Sequence, residues 1–210
     1  VPSVVTLDSE RPDPAAIERL AVQLAGGAIL GIPTDTLYGL AVNPQDDCAV
    51  ARLFELKGRD AAIAVPLVAA DLSQVLTRVG RLTPIGQQLA LRFWPGPLTL
   101  VINARRDLAT GVRAADGSVA VRVPAHPVTR ALARRFGAPL TATSANRSGQ
   151  PPAMDAAAVV AALGDDVDVV VDAGPIRGGP PSTVVDVRDE TPRLVRDGAI
   201  PWAAVLESLK

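Results

Sequence analysis

Lys57 and Arg59 stand two residues apart in Leu56-Lys57-Gly58-Arg59, in a chain that otherwise supplies positive charge almost wholly as arginine. Of its 21 basic residues, only Lys57 and the terminal Lys210 are lysine. A compact ammonium beside a planar guanidinium suits the oxygens of phosphate or carboxylate. The same pair also fits a solvated helix end, where cations face the C-terminal dipole. Other segments carry related chemistry. Pro33-Thr34-Asp35-Thr36-Leu37-Tyr38-Gly39 holds the one tyrosine, and Arg122 interrupts the apolar run Ala120-Val121-Arg122-Val123-Pro124. Thr141-Ala142-Thr143-Ser144-Ala145-Asn146 clusters hydroxyls and an amide, Gly178-Gly179-Pro180-Pro181-Ser182-Thr183 precedes an apolar run, and Arg196-Asp197-Gly198 follows another. Each has a structural reading: Thr34 to Thr36 as a hydroxyl or Asx turn, Asn146 as a cap, 178–181 as a connector, Arg122 on a solvated face. Together, hydroxyls, an amide, a Lys and several Arg at element ends suit a phosphate-bearing ligand. No general base or nucleophile accompanies them, so catalysis would come from positioning and charge neutralisation.

Several familiar systems are excluded by composition. One histidine, His126, and one cysteine, Cys48, do not furnish a His/Cys zinc site. No G-x-S-x-G elbow, P-loop or G-x-G-x-x-G fingerprint occurs. His126 reads as a turn or helix-start residue and Cys48 as a small buried hydrophobe.

The elements that must position these side chains alternate along the chain. Asp13-Pro14 with Ile17, Leu20 and Leu24 predicts a capped helix stopped at Gly26-Gly27. Helices are also expected over 46–56, 71–79, 84–93, 128–136, 155–163 and 202–209. Strands are expected over 28–32, 65–69, 97–102, 118–123, 140–142, 167–171 and 183–187, with a short one near 194–195. Hydrophobic residues make up 48% and aromatics only 3%, a mix suited to β-branched strands under Ala-rich helices. The expectation is α/β: a single domain with an open, twisted, mixed sheet flanked by helices. A net charge of −1 without a long basic run gives no extended nucleic-acid face. One cysteine, no run of transmembrane length and no signal pattern at Val1-Pro2-Ser3 lead to the expectation of a cytoplasmic protein without a membrane partner.

The motifs, in order, resemble those of the YrdC/TsaC-type threonylcarbamoyl-AMP synthases. The segments are Gly31-Ile32-Pro33-Thr34-Asp35-Thr36-Leu37-Tyr38-Gly39-Leu40, Lys57-Gly58-Arg59, Phe93-Trp94-Pro95-Gly96-Pro97-Leu98-Thr99, Arg122-Val123-Pro124, Ser144-Ala145-Asn146 and Pro181-Ser182-Thr183-Val184-Val185-Asp186. The resemblance runs over about 15–200 and implies a YrdC-like fold with a concave, positively charged cavity. It implies condensation of L-threonine, bicarbonate and ATP into threonylcarbamoyl-AMP and pyrophosphate, with Mg²⁺ accompanying ATP. Downstream tRNA threonylcarbamoyl-transfer proteins would then modify the adenosine beside certain anticodons. Lys57, Arg59, Ser144 and Asn146 match the family's Lys-x-Arg and Ser-x-Asn signature and by that likeness hold ATP phosphates and the carbamate. Lys57 and Arg59 take the catalytic assignment as fixed cations. Thr34, Tyr38 and Thr143 would surround threonine, while Arg122, Ser182 and Arg196 would bind the nucleotide or the substrate carboxylate.

Many relatives follow the Lys-x-Arg pair with Pro, whereas this chain has Asp60-Ala61-Ala62-Ile63-Ala64-Val65-Pro66-Leu67, which implies a different cover beside Arg59. A longer branch carries an extra C-terminal domain; a single domain over 1–210 without it is the expectation here. The alternative is an RNA-binding YrdC-like paralogue without efficient synthase activity, opposed by the near-neutral charge and scarce aromatics. Weak tRNA binding at most is expected. A carbamoyl-transfer domain of a larger maturation protein is a third reading, opposed by the lack of acylphosphatase-like or zinc-finger segments.

Overall fold

A computed structural model describes residues 1–58 and 64–210. In chain order the elements are β1 (Ser3–Thr6), α1 (Pro14–Ala25), β2 (Leu30–Pro33), β3 (Tyr38–Ala41), α2 (Asp47–Lys57), β4 (Leu67–Val68) and α3 (Leu72–Gln74), which runs into a π-helical turn, Val75–Val79. They continue with β5 (Gly80–Arg81), α4 (Pro84–Phe93), β6 (Leu98–Ala104), β7 (Ser118–Arg122), α5 (Pro127–Phe136), β8 (Leu140–Thr141) and β9 (Thr143–Ser144). Last come α6 (Ala156–Leu163), β10 (Val169–Asp172), β11 (Thr183–Asp186), β12 (Arg193–Arg196) and α7 (Trp202–Glu207).

The strands form two mixed sheets where the sequence leads one to expect one. A five-stranded sheet runs β1-β10-β2-β3-β9, and a seven-stranded sheet runs β12-β11-β6-β7-β4-β8 with β5 paired to β6. The division arises at 140–144. Leu140 and Thr141 pair antiparallel with β4, and after Ala142 the chain pairs antiparallel with β3 through Thr143 and Ser144. The Thr141 hydroxyl accepts the Val42 N–H at 2.9 Å at this crossing. Two consecutive two-residue strands, β8 and β9, thus carry the chain from one sheet to the other.

Helix starts follow from the capping chemistry. Asp13 accepts the N–H groups of Ala15 and Ala16 with Pro14 at the first helical position, and Thr83 and Asp155 cap α4 and α6 in the same manner. Each such cap contributes about 1 kcal/mol. The 3.6-residue stripe Ile17, Leu20 and Leu24 of α1 packs with Val128 and Leu132 of α5 against Leu30, Ile32, Val169 and Val171 of the smaller sheet. Opposite-facing residues of that sheet, Leu40 and Val170, join a second core with Leu53, Leu89, Leu98, Leu100 and Val121. Each of these buried leucines contributes about 1.5–3 kcal/mol over its exposed state. The second core covers one face of the larger sheet. Among the described residues, no helix is long and apolar enough to cross a membrane.

Candidate functional site

Alternation of side chains along the strands decides which residues face the open side. On β6, Leu98, Leu100 and Ile102 enter the core, which turns Thr99 and Val101 outward. On β7, Val119 and Val121 enter the core while Ala120 and Arg122 turn outward. These residues, with Leu67, Val68, Val184, Val195 and Arg196 of the same sheet, line a cavity of about 740 Å³. Thr143 and Ser144 of β9 and Thr36 and Leu37 of the β2–β3 turn close it from the smaller sheet. Pro152, Pro181 and Ser182 complete the rim. The lining is an apolar strip with cations and hydroxyls at its margins.

One polar margin is built on Ser182. Its carbonyl accepts from Arg196 Nε at 3.2 Å and Nη2 at 2.7 Å, and its hydroxyl stands 3.1 Å from Nη2 and 2.8 Å from the Thr99 hydroxyl. The backbone beyond Arg196 fixes this arrangement. Ala199 N–H donates to Pro181 O at 2.9 Å, and the Thr183 hydroxyl both donates to Ile200 O and accepts Ile200 N–H. Gly198 is required by close approach, since a Cβ there would lie 2.2 Å from Pro181 O. Glycine alone lets the two backbones lie together.

Arg122 forms the other cationic element. It is 8% exposed, with Nη1 3.2 Å from Asp35 Oδ1 and 3.5 Å from the Thr36 hydroxyl. Burial pushes the Arg122 pKa down; nearby Asp35 opposes this and Arg196 adds to it. Burial likewise lowers Arg196. Guanidinium remains protonated under such shifts, so both residues present positive charge. The position of Arg122 excludes the solvated-face reading.

Lys57 is not among the described residues of the lining; it is the last residue of α2, where Gly58 adopts the left-handed conformation that ends the helix. It is 5% exposed. Its ammonium is 2.7 Å from Ser144 O, 3.3 Å from Ser144 Oγ, 2.7 Å from Asn146 O and 2.6 Å from Asn146 Oδ1. The Ser144 hydroxyl donates to Asn146 Oδ1 at 2.6 Å, and the Asn146 amide donates to Gln150 O. Lys57 is therefore in contact with the Ser-x-Asn motif and holds the turn that carries Ser144 and Asn146. Ser144 reaches the cavity, as does Thr143. Arg59 and Asp60 lie outside the described residues.

Thr34 and Tyr38 are not among the described residues that line this cavity. The Thr34 hydroxyl donates to Leu37 O at 2.6 Å and accepts from Thr36 N and Leu37 N, making the hydroxyl turn between β2 and β3. Tyr38 is wholly buried; its hydroxyl donates to Gly174 O at 2.8 Å and accepts from Ala173 N–H. Burial raises its pKa, partly opposed by the Ala173 bond. Thr36 and Thr99 are cavity residues without an individual role in the sequence reading. Strand alternation around Leu98 and Leu100 is the signal that singles out Thr99.

The geometry can bind a ligand with an apolar ring or methyl on the strip and oxyanions at Arg122, Arg196 and the hydroxyls. Among the described residues, no group of three or more His, Cys, Asp or Glu could hold a metal ion, and no carboxylate appears in the cavity lining.

A family model described as telomere recombination (Sua5/YciO/YrdC) matches residues 22–198. The chain is 40% identical over 166 residues to the threonylcarbamoyl-AMP synthase of Chromohalobacter salexigens, spanning 79% of this chain and 89% of that protein. It is 37% identical over 197 residues to that of Bacillus subtilis, spanning 93% of this chain and 57% of that protein. The crystal structure of Pyrococcus abyssi Sua5 complexed with L-threonine superposes with a TM-score of 0.91 at 32% identity, covering 98% of this chain and 60% of that one. The chain thus spans less than two thirds of these last two proteins.

Proposed function

The chain belongs to the Sua5/YciO/YrdC family, and from that membership and the cavity we infer that it is an L-threonylcarbamoyladenylate synthase. It condenses L-threonine, bicarbonate and ATP. The observation that carries this reading is the pairing of two guanidinium groups, Arg122 and Arg196, with an apolar strand floor in one concave site.

Bicarbonate takes up a proton and loses water to give CO₂, and the threonine amine nitrogen bonds to its carbon, releasing a proton and forming a carbamate. A carbamate oxygen then bonds to the α-phosphorus of ATP as the bond to the bridging oxygen breaks and pyrophosphate leaves. No covalent protein intermediate is required. The protein must bring two anionic reactants together and offset their repulsion. Arg122 and Arg196 are read as the oxyanion contacts, with Ser182 and Thr99 as hydroxyl donors beside them. Thr143 and Ser144 face the same space from the smaller sheet and are read as substrate contacts. Val101, Ala120, Val184 and Val195 offer an apolar face for an adenine ring.

Lys57 acts through Ser144 and Asn146 in this reading, Thr34 and Tyr38 are scaffold residues, and Arg59 keeps a phosphate role by family likeness alone. The described lining does not fit a protein-held Mg²⁺, because it supplies hydroxyls and no carboxylate. An Mg²⁺ entering with ATP would be held by the nucleotide rather than by the described residues, and would supply charge neutralisation at the phosphates. The adenylate product is a mixed anhydride that water hydrolyses, so prompt transfer to a tRNA-modifying partner completes the scheme. Pyrophosphate release measured with each substrate omitted in turn tests the reading. Release that persists without threonine overturns it.

A further inference from the structure

Asp35 presents a problem that the synthase reading leaves unsolved. Both its carboxylate oxygens are buried, and neither accepts a hydrogen bond from the described residues. Arg122 Nη1 is only 3.2 Å from Oδ1, but its N–H is not aimed at that oxygen. The contact is Coulombic without a hydrogen bond. A buried carboxylate held only in this manner is costly, and native structures rarely retain such a group without a use. Among the described residues, the cation in ion-pair range of it is Arg122 of the cavity wall, whose guanidinium also stands a long 3.5 Å from the Thr36 hydroxyl.

We propose that Asp35 is a positioning residue that serves as the internal counter-ion of Arg122, balancing it in the ligand-free cavity and competing with the incoming oxyanion for its charge. The pieces have separate duties. Arg122 and Arg196 together would make the empty cavity strongly positive, and an uncompensated buried cation is unfavourable. Asp35 offsets Arg122 from behind, leaving its cavity side available. When a phosphate or carboxylate oxygen arrives, Arg122 turns its poorly aligned N–H groups toward the ligand. The negative charge of Asp35 then repels that ligand and limits its affinity, which favours release of an anionic product. Hydrogen bonds from Arg122 to Asp35 would have locked the guanidinium in place, so their absence suits a group that must change partners.

This inference rests on the oxyanion-site reading of Arg122, and binding measurements can separate the two. AMP supplies a phosphate and L-threonine a carboxylate; each is titrated by calorimetry into the parent chain, Asp35→Asn, Asp35→Glu, Arg122→Gln and Arg122→Gln/Asp35→Asn. Repulsion across a guanidinium, over about 8 Å at an effective dielectric near 20, amounts to about a thirtyfold change in affinity, which screening at the open cavity reduces to about tenfold. Asp35→Asn is therefore expected to bind at least one of the two ligands about tenfold more tightly, with Asp35→Glu close to the parent. The gain should vanish in the Arg122→Gln background, since the effect acts through that guanidinium. A residue that only supports the fold would weaken binding when changed. The melting temperature gives a second readout: Asp35→Asn should melt below the parent without ligand and gain more than the parent from the ligand it binds. If Asp35→Asn tightens neither ligand, or does so equally without Arg122, the counter-ion proposal is overturned while the cavity assignment stands. If Asp35→Asn does not fold and neither ligand restores it, the proposal is likewise overturned. A parent chain that binds neither ligand overturns both readings.

Discussion

Replacing Lys57 with methionine removes an ammonium while keeping the length of the side chain, and its contacts set the expected cost. Asn146 O loses its 2.7 Å partner and is left as a buried acceptor. Ser144 O retains the Asn146 N–H at 3.0 Å, and Asn146 Oδ1 retains the Ser144 hydroxyl at 2.6 Å, so these two lose only the charged bond. A hydrogen bond to a charged group contributes about 1.5–3 kcal/mol, and an orphaned buried acceptor costs about 1–3 kcal/mol. Relief from burying an ammonium offsets part of this sum. The net expected loss is roughly 3 kcal/mol, which for a chain of this size lowers the melting temperature by about 10 °C. Thermal and urea unfolding of Lys57→Met measure it, alongside threonine-dependent pyrophosphate release. Turnover should fall too, because Thr143 and Ser144 are carried by the loosened segment. A variant melting within about 2 °C of the parent yet inactive would refute the reasoning. That result would make Lys57 a ligand contact rather than the holder of the Ser144 turn.

Gly198→Ala places a Cβ 2.2 Å from Pro181 O, so the Arg196–Ser182 margin must separate; a melting temperature lowered by several degrees together with a raised KM is expected from calorimetry and steady-state assay. Tyr38→Phe removes the bond to Gly174 O and should cost about 1 kcal/mol of stability in urea unfolding, with the KM for threonine unchanged. Asp116 is depressed to about 2 by the side-chain and backbone hydrogen bonds of Ser118 and then by Arg188, and Asp186 is lowered chiefly by its side-chain bond to Arg188. Carboxylates depressed on folding stabilise the chain fully above their ordinary value of 3.8 and lose that contribution as pH falls toward 2. Arg188→Ala should therefore flatten the fall in unfolding free energy, read from urea titrations across that window, by about 1 kcal/mol or less because Asp116 is half exposed.

The helices were legible in the sequence because their signals are local. Asp13-Pro14, Thr83-Pro84 and the 3.6-residue spacing of Ile17, Leu20 and Leu24 each act within a few residues. Strands β2, β6, β7, β10 and β11 were legible as apolar runs. Strand β1 was not, because it is an edge strand with exposed Ser3, Val4 and Thr6. Strand β3 was hidden in a segment that reads as a turn, although Tyr38, Gly39, Leu40 and Ala41 are all buried. The split into two sheets depends on pairing at 140–144 between partners far apart in sequence, which no local pattern encodes. At the site, residue types identified Arg122, Ser144, Ser182 and Arg196 as polar groups facing one place. They could not show that Lys57 bonds the main-chain oxygens of Ser144 and Asn146 as well as their side chains, nor that Tyr38 faces Gly174, because both outcomes depend on which backbone atoms the fold brings near.

The central claim is that one cavity joins threonine, bicarbonate and ATP into a single adenylate. It is tested most directly by following ¹⁴C-bicarbonate into the nucleotide product while pyrophosphate is counted in the same reaction. The account predicts one labelled carbon in threonylcarbamoyl-AMP for each pyrophosphate released, with neither formed when threonine is withheld and both lost in an Arg122→Gln/Arg196→Gln variant. Pyrophosphate released without threonine, or without label entering the adenylate, would contradict it.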